Sequence, residues 1–131
     1  MINETIVIVP TYNAGKSIER VITEIQETGF KNIVIGDDCS DDDTVSIVQN
    51  LFPEIDIIVQ ESNIGYGGNQ KALYNFVINK DYRYVVMIHG DNQYTPFLVP
   101  SLASMMHYAK YDFVFGSRIT GGNALKGGMP L

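Results

Sequence analysis

The stretch "TIVIVPTYNAGKSIERVITEI", residues 5–25, contains a strand and a helix in direct succession. Residues 5–9 form an apolar, largely β-branched run, which is typical of a strand buried on both faces of a sheet. A turn with proline, asparagine and glycine follows, and apolar residues then recur at helical spacing, at Ile18, Val21, Ile22 and Ile25. A buried strand followed by an amphipathic helix is the repeating unit of parallel α/β sheets.

The same alternation continues along the chain. Further strands are predicted at residues 32–36, 55–60, 84–88 and 112–115, and helical patterns lie between them. This order predicts an α/β fold with a mostly parallel, doubly wound sheet, right-handed crossovers and helices on both faces. Ligands of such sheets bind beyond the carboxyl ends of the strands, so the residues that follow each strand are the candidates for a site.

Composition narrows the classes of function. The 131 residues suit one domain with one core, and the net charge of −6 argues against a nucleic-acid partner. The single cysteine excludes a disulfide within the chain, and no apolar stretch approaches the ~18 residues of a membrane span. We therefore expect a cytoplasmic domain at residues 1–119. Residues 120–131 are expected to be a truncated, glycine-rich loop or tail, and an exposed sheet edge beside it would favour a homodimer.

The residues after the first two strands suit a nucleotide. Pro10 is expected to end the first strand, and Tyr12 can offer its ring to a base or sugar. After the second strand, "GDDCSDDDT" contains five aspartates, of which residues 41–43 are best explained as helix caps. Asp37 and Asp38 lie at the strand exit, where a carboxylate can accept hydrogen bonds from a ribose or a base.

The segment after the third strand suits a phosphate. "SNIGYGGNQKAL", residues 62–73, is a glycine-rich turn that enters a helix. Its glycines, Gly65 first among them, allow close approach of the backbone, and a helix N-terminus attracts phosphate. Lys71 lies in the first turns of the helix, where the helix dipole disfavours a cation, so a role with an anion is one interpretation. A solvated lysine is the commoner one.

The fourth predicted strand is followed by polar residues of three kinds. In an extended segment, His89, Asp91 and Gln93 would point to one side. Imidazole, carboxylate and amide oxygen could together hold Mg²⁺ or Mn²⁺ that is shared with a diphosphate. The alternative is a hydrogen-bonded turn in which His89 is satisfied in the core. Arg118, after the predicted fifth strand, is suited to a phosphate. Together the strand ends predict a nucleoside-diphosphate site with a divalent cation.

Five segments in this order resemble family 2 glycosyltransferases with the Rossmann-like GT-A fold. They are "IVIVPTYNAGKSI", "IVIGDDCSDDDT", "SNIGYGGNQKAL", "VVMIHGDNQYTP" and "DFVFGSRI", and the likeness runs over residues 5–119, in particular to the dolichyl- or polyprenyl-phosphate mannose and glucose synthase branch. It implies inverting transfer of a sugar from a GDP or UDP sugar. The implied acceptor is a lipid phosphate, such as polyprenyl phosphate, or a glycan, at the cytoplasmic face of a membrane.

The resemblance also implies roles for single residues. Pro10 and Tyr12 would contact the base, Asp38 would hold the base or ribose, and Arg118 would lie close to the diphosphate. A bound cation would neutralise the charge that develops on the departing nucleoside diphosphate. The family continues past G-S-R into segments that bear its catalytic base, so no base is named within these residues.

The chain departs from the family pattern at two positions. His89, Asp91 and Gln93 fall on the family's D-x-D-x-Q metal motif, with histidine in place of the first aspartate. Because imidazole suits softer ions than Mg²⁺, Asp91 becomes the main anchor, and a cation bound by His89 would be Mn²⁺ at least as well as Mg²⁺. Ala14 stands where the family often has a glutamate.

Two other classes of function stay open. A sugar nucleotidyltransferase shares the sheet and the metal, but it needs a glycine-rich, basic loop after the first strand. "PTYNAGKS" offers only Gly15 and Lys16 there. A non-catalytic nucleotide-binding or scaffold module is the third class, which the departure at His89 and the missing C-terminal part of the family keep open.

Overall fold

The computed structural model of the protein describes residues 1–117. Within them, four parallel strands form one sheet in the order β3-β2-β1-β4. The strands are β1 (Thr5–Thr11), β2 (Ile33–Asp37), β3 (Asp56–Val59) and β4 (Tyr84–Met87). Every residue of β1 and β2 is buried, which is the property that their continuous apolar runs predict.

Helices cover both faces of this sheet. They are α1 (Ile18–Glu27), α2 (Thr44–Leu51), α3 (Gly65–Ile78) and α4 (Val99–Ala109), and short 3₁₀ turns lie at Ile2–Glu4 and Pro96–Leu98. Side chains of α1, α2 and α4 share one core cluster with the sheet, whereas Leu73 and Val77 of α3 pack on the opposite face. The predicted α/β fold with helices on both faces is therefore confirmed. No helix in the described part of the chain is both long and apolar enough to cross a membrane.

The predicted strand at residues 112–115 is wrong, because this segment pairs with no other strand within residues 1–117. Its aromatic residues Phe113 and Phe115 are 75% and 74% exposed. An apolar groove of about 750 Å³ lies between this segment and β4. A continuous apolar run suits a strand, but a strand also needs a partner at hydrogen-bonding distance.

Pro10 does not end β1, contrary to the sequence prediction, since β1 continues to Thr11. Pro10 and Thr11 pair with Gly36 and Asp37 of β2. On the other side, the pairing of β1 with β4 ends at Ile8, so the missing N–H of Pro10 lies beyond that ladder.

The strand order creates a switch point between β1 and β4. The chain proceeds from β1 to β2 and β3 in one direction and then returns over the sheet through α3 to place β4 on the other side of β1. Doubly wound sheets bind ligands in the crevice at such a point, beyond the carboxyl ends of the strands. The sheet therefore positions the loops after β1 and β4 side by side at the most favourable place for a site.

Candidate nucleotide-binding cleft

A cleft of about 330 Å³ opens at the switch point. It is lined by the last two residues of β1 and by residues that follow each of the four strands: Pro10, Thr11, Tyr12, Asp38, Asn63, Gly65, Tyr66, Asn69, His89, Gly90 and Asp91. Five of the predicted donor-binding residues are among them, which are Pro10, Tyr12, Asp38, Gly65 and Asp91. The predicted metal ligand His89 lines the cleft too.

The loop after β1 and the β2–α2 loop, defined here to include the last residue of β2 (residues 37–43), hold each other in place. The Asn13 backbone N–H donates to Ser40 Oγ at 2.9 Å, and the Asp41 N–H donates to Asn13 Oδ1 at 3.0 Å. Gly15 N–H donates to the Asp42 carboxylate at 2.9 Å. These bonds fix Tyr12 at the mouth of the cleft, where its side chain is 53% exposed.

Asp37 and Asp38 are both buried but face different partners. Asp37 turns into its own loop, where its carboxylate accepts hydrogen bonds from the Ser40 N–H at 2.9 Å and from the hydroxyls of Ser40 and Thr11. Asp38 lines the cleft, and within residues 1–117 its carboxylate accepts one hydrogen bond, from the Ile64 N–H at 2.8 Å. Asp38 therefore keeps acceptor capacity for a ligand, whereas that of Asp37 is used by the fold.

The acids that precede α2 are largely structural. Asp42 accepts hydrogen bonds from the Thr44 N–H and hydroxyl and from Gly15. Burial raises the pKa of Asp42, but these hydrogen bonds outweigh it and leave the pKa below its ordinary value. Asp43 occupies the N-cap position without a side-chain cap bond. The sequence interpretation of these residues as caps fits Asp42 best.

The start of α3 forms the wall beside β2. Gly65 has a φ of +80°, a conformation that favours glycine, and its N–H donates to Asn63 Oδ1 at 3.1 Å. The side chain of Asn69 is buried and donates to the Gly36 carbonyl at 2.7 Å. A Cβ on Gly36 would come within 2.8 Å of Asn69 Oδ1, so this close approach requires glycine.

His89 is held between two tyrosines. Its Nε2 lies 2.8 Å from the Tyr66 hydroxyl, and the two ring centroids are 5.2 Å apart. The ring of Tyr94 meets His89 edge-on, also at 5.2 Å. Burial lowers the pKa of His89, with Asp91 acting in the opposite sense. Burial also raises the pKa of Tyr66, and nearby Tyr74, Tyr94 and Asp91 add to this effect.

Asp91 projects from the β4–α4 loop (residues 88–95) rather than from an extended strand. One of its carboxylate oxygens, Oδ1, accepts a hydrogen bond from the Gln93 N–H at 3.0 Å, and Asn92 between them has a φ of +60°. This turn replaces the expected alternation, so His89, Asp91 and Gln93 do not share one side of a strand. Gln93 is exposed and is absent from the cleft lining.

The donor set of the cleft fits a shared cation rather than a closed cage. Residues 1–117 contain no group of three or more His, Cys, Asp and Glu side chains that could hold a metal ion. Asp91 offers one carboxylate oxygen that the turn does not use, and Mg²⁺ commonly binds one or two carboxylates together with phosphate oxygens.

One predicted donor-binding residue, Lys71, stands apart from the cleft. Lys71 is exposed on α3 and is absent from the cleft lining. Arg118 lies outside the described residues. Cys39 is exposed, with a φ of +61°.

Sequence reasoning missed Thr11, Asn63, Tyr66, Asn69 and Gly90 as lining residues. One of them, Gly90, could have been predicted from the glycine in "IHGDN". A Cβ on Gly90 would come 2.3 Å from Thr11 Cγ2, so only glycine lets the loop after β4 lie against the end of β1. The Ser17 hydroxyl donates to the Gly90 carbonyl at 2.6 Å and ties the same loop to the start of α1.

Comparison with known proteins identifies the family. The profile of Glycosyl transferase family 2 matches residues 6–129, and the chain belongs to this family. GalNAc(5)-diNAcBac-PP-undecaprenol beta-1,3-glucosyltransferase of Campylobacter jejuni is 34% identical over 119 residues, which cover 85% of this chain and 37% of that protein. UDP-N-acetylglucosamine--dolichyl-phosphate N-acetylglucosaminyltransferase of Methanococcus voltae is 27% identical, and the match covers 95% of this chain and 55% of that protein. The chain thus spans about half the length of such relatives, or less.

Solved structures support the fold assignment. Staphylococcus aureus TarS matches with a TM-score of 0.67 at 19% identity, over 88% of this chain and 23% of TarS. A structure of TarS residues 1–349 in complex with UDP-GlcNAc matches with a TM-score of 0.63 at 24% identity, over 79% of this chain and 31% of that one. These matches confirm the GT-A type of α/β fold.

Proposed function

We propose that the chain is the donor-binding part of a glycosyltransferase that transfers a sugar from a UDP sugar to a lipid-phosphate or glycan acceptor. The observation that carries this proposal is the cleft at the switch point, where residues after all four strands meet. The choice of UDP over GDP rests on relatives. The dolichyl-phosphate enzyme of M. voltae is named for UDP-N-acetylglucosamine, and TarS has been solved with UDP-GlcNAc.

Each part of the donor has a proposed partner in the cleft. The exposed ring of Tyr12, beside Pro10, is placed to stack on the base, and Asp38 is placed to accept hydrogen bonds from the ribose or base. The diphosphate would lie between Gly65, at the positive end of α3, and Asp91.

The charge of the cleft supports a cation. Asp38 and Asp91 are the acidic residues that line it, and neither lysine nor arginine lines it within the described part of the chain. A diphosphate beside Asp91 would be repelled unless a divalent cation bridged the two. Asp91 is the proposed anchor of that cation. Gln93 stays a predicted ligand, and the part of His89 depends on its contact with the Tyr66 hydroxyl. Arg118 stays a proposed contact of the diphosphate.

The proposed chemistry is inverting transfer with assisted departure of UDP. The cation, when bound, would neutralise charge that develops on the leaving diphosphate. The protein's own part is to orient the donor through Tyr12 and Asp38 and to hold the diphosphate against α3. The base that activates the acceptor is proposed to lie in the part of the family beyond these residues.

Thermal denaturation of the 131-residue chain with UDP, UDP-GlcNAc and GDP tests the proposal. We expect UDP and UDP-GlcNAc to raise the melting temperature in the presence of Mg²⁺ or Mn²⁺ and to have a small effect in EDTA, because the cation completes the site. At a hundredfold excess over Kd, the ligand should add about 2.7 kcal/mol to the free energy of unfolding. No stabilisation by any of the three would contradict the proposal and favour a module that binds no nucleotide.

A further inference from the structure

The contact between Tyr66 and His89 bears on how the cleft selects a cation. The Tyr66 hydroxyl and His89 Nε2 are 2.8 Å apart, a normal hydrogen-bond distance. The rings of Tyr66 and Tyr94 both contact the imidazole, each with its centroid 5.2 Å from that of His89, and both restrict its rotation. The imidazole is therefore held in one orientation before any ligand arrives.

A neutral imidazole has one nitrogen with a free lone pair, and a metal ion binds through that lone pair. If the Tyr66 hydroxyl donates to Nε2, the lone pair of Nε2 is used and Nδ1 carries the proton. His89 then has no nitrogen available for a metal. If Nε2–H instead donates to Tyr66, the lone pair lies on Nδ1 and His89 can bind a metal. The direction of this hydrogen bond therefore decides whether the His89 imidazole can bind the cation.

Two features favour the tyrosine as the donor. A tyrosine hydroxyl ordinarily titrates at about pH 10, so at neutral pH Tyr66 has a proton to donate across the 2.8 Å contact. Within residues 1–117, its other polar neighbour is the Met87 sulfur at 3.9 Å, which is a weak acceptor and a poor competitor for that proton. The imidazole nitrogen is the stronger acceptor of the two.

We propose that Tyr66 is a specificity-determining residue, which donates its hydroxyl proton to His89 Nε2 and so withholds the imidazole from the metal. Asp91 is then the charged side chain that binds the cation, and the site accepts the oxygen-preferring ion Mg²⁺ about as well as Mn²⁺. Removal of the Tyr66 hydroxyl would expose the nitrogen and shift the preference toward the softer ion. This inference rests on the proposed binding of UDP with a cation.

The first measurement is the affinity for UDP in Mg²⁺ and in Mn²⁺, by titration calorimetry on the wild-type chain and on Tyr66→Phe. For the wild type, we expect the affinities for UDP in Mg²⁺ and in Mn²⁺ to agree within a few-fold. In Tyr66→Phe, we expect the ratio of the affinity in Mn²⁺ to that in Mg²⁺ to be about tenfold higher than in the wild type. Tyr74→Phe is the matched control, since Tyr74 lies on the same helix and its hydroxyl makes no hydrogen bond within residues 1–117. Its cation preference should equal that of the wild type.

The second measurement is pulsed electron paramagnetic resonance of Mn²⁺ bound with UDP, which detects a directly coordinated imidazole nitrogen. We expect no such signal in the wild type, a signal in Tyr66→Phe, and none in Tyr66→Phe combined with His89→Ala. A nitrogen signal in the wild type, or its absence from Tyr66→Phe, would overturn the inference and leave the proposed function standing. Failure of the wild type to bind UDP with either cation would overturn both.

Discussion

The β2–α2 loop and the β4–α4 loop both follow a buried strand with acidic side chains, yet they use those acids differently. In the first, the carboxylates of Asp37 and Asp42 are saturated by hydrogen bonds from their own loop and its neighbour. In the second, Asp91 gives one oxygen to a turn and keeps the other. The number of aspartates in a loop is therefore a poor guide to binding, because nearby N–H and hydroxyl donors decide which carboxylates remain available.

The largest effect is expected from Asp37 in the β2–α2 loop. Asp37→Ala should lower the free energy of unfolding by about 3 kcal/mol, because it empties a buried site and leaves the part-buried N–H and hydroxyl of Ser40 without their acceptor. Denaturant unfolding measures this. Asp41→Ala is the control, since Asp41 is exposed and its carboxylate makes no hydrogen bond within residues 1–117. Equal stability of the two variants would show that Asp37 is not structural.

Asp91 should behave in the opposite way, with a loss of binding and little loss of stability. Asp91→Asn keeps an oxygen for the Gln93 N–H but removes the charge that anchors the cation. We expect the affinity for UDP in Mg²⁺ to fall about a hundredfold, as measured by calorimetry, with the melting temperature unchanged. Asp81→Asn, in the exposed turn before β4, should bind as the wild type does. Unchanged affinity in Asp91→Asn would remove Asp91 from the proposed site.

These two loops also show what the sequence can predict. Continuous apolar runs predicted β1, β2 and β4 within two residues at either end, since burial on both faces leaves few alternatives. The convergence of Tyr12, Asp38 and Asp91 followed from the rule that strand ends meet at one edge. The hydrogen-bond partner of each polar atom could not be predicted from the sequence. Ser40 and Thr11 select Asp37 through bonds that span up to 26 residues, and no local pattern encodes them.

The failed strand at residues 112–115 has the same physical origin. Its continuous apolar run indicates that these side chains could be buried, whereas strand pairing depends on where β4 lies relative to the segment. Tyr66 was missed because its contact with His89 depends on the packing of α3 across the end of β4. Both cases are set by tertiary structure.

Asp38 is intermediate between the two loops, because its carboxylate serves the fold and faces the cleft. Asp38→Asn keeps an acceptor for the Ile64 N–H but weakens hydrogen bonds to a ribose or base. We expect about a tenfold loss of affinity for UDP by calorimetry, since a charged acceptor is worth about 1.4 kcal/mol more than a neutral one. If Asp38→Asn lowers the free energy of unfolding by more than it weakens the free energy of UDP binding, Asp38 is a structural acid like Asp37.

The smallest effect is expected at Asp42 and depends on pH. The pKa of Asp42 is lowered in the folded protein, so its stabilising contribution is complete above the unfolded pKa of about 3.9 and is lost as the pH falls through the folded value. Asp42→Asn should therefore cost about 0.5 kcal/mol at pH 7, a small value because water screens this exposed carboxylate. The difference from the wild type in thermal unfolding should shrink as the pH falls below the unfolded pKa and through the lowered folded pKa, and a constant difference would contradict the assignment.

The most direct test of the account is an amide NMR titration of the ¹⁵N-labelled 131-residue chain with UDP and Mg²⁺. The cleft and the apolar groove beside residues 110–116 are separate candidate surfaces, and His89 lines both. The account predicts saturable shifts at Tyr12, Asp38, Gly65 and Asp91, with residues 110–116 unchanged. Shifts confined to the groove, or no saturable shift at the strand ends, would contradict the claim that the switch-point cleft binds the nucleotide.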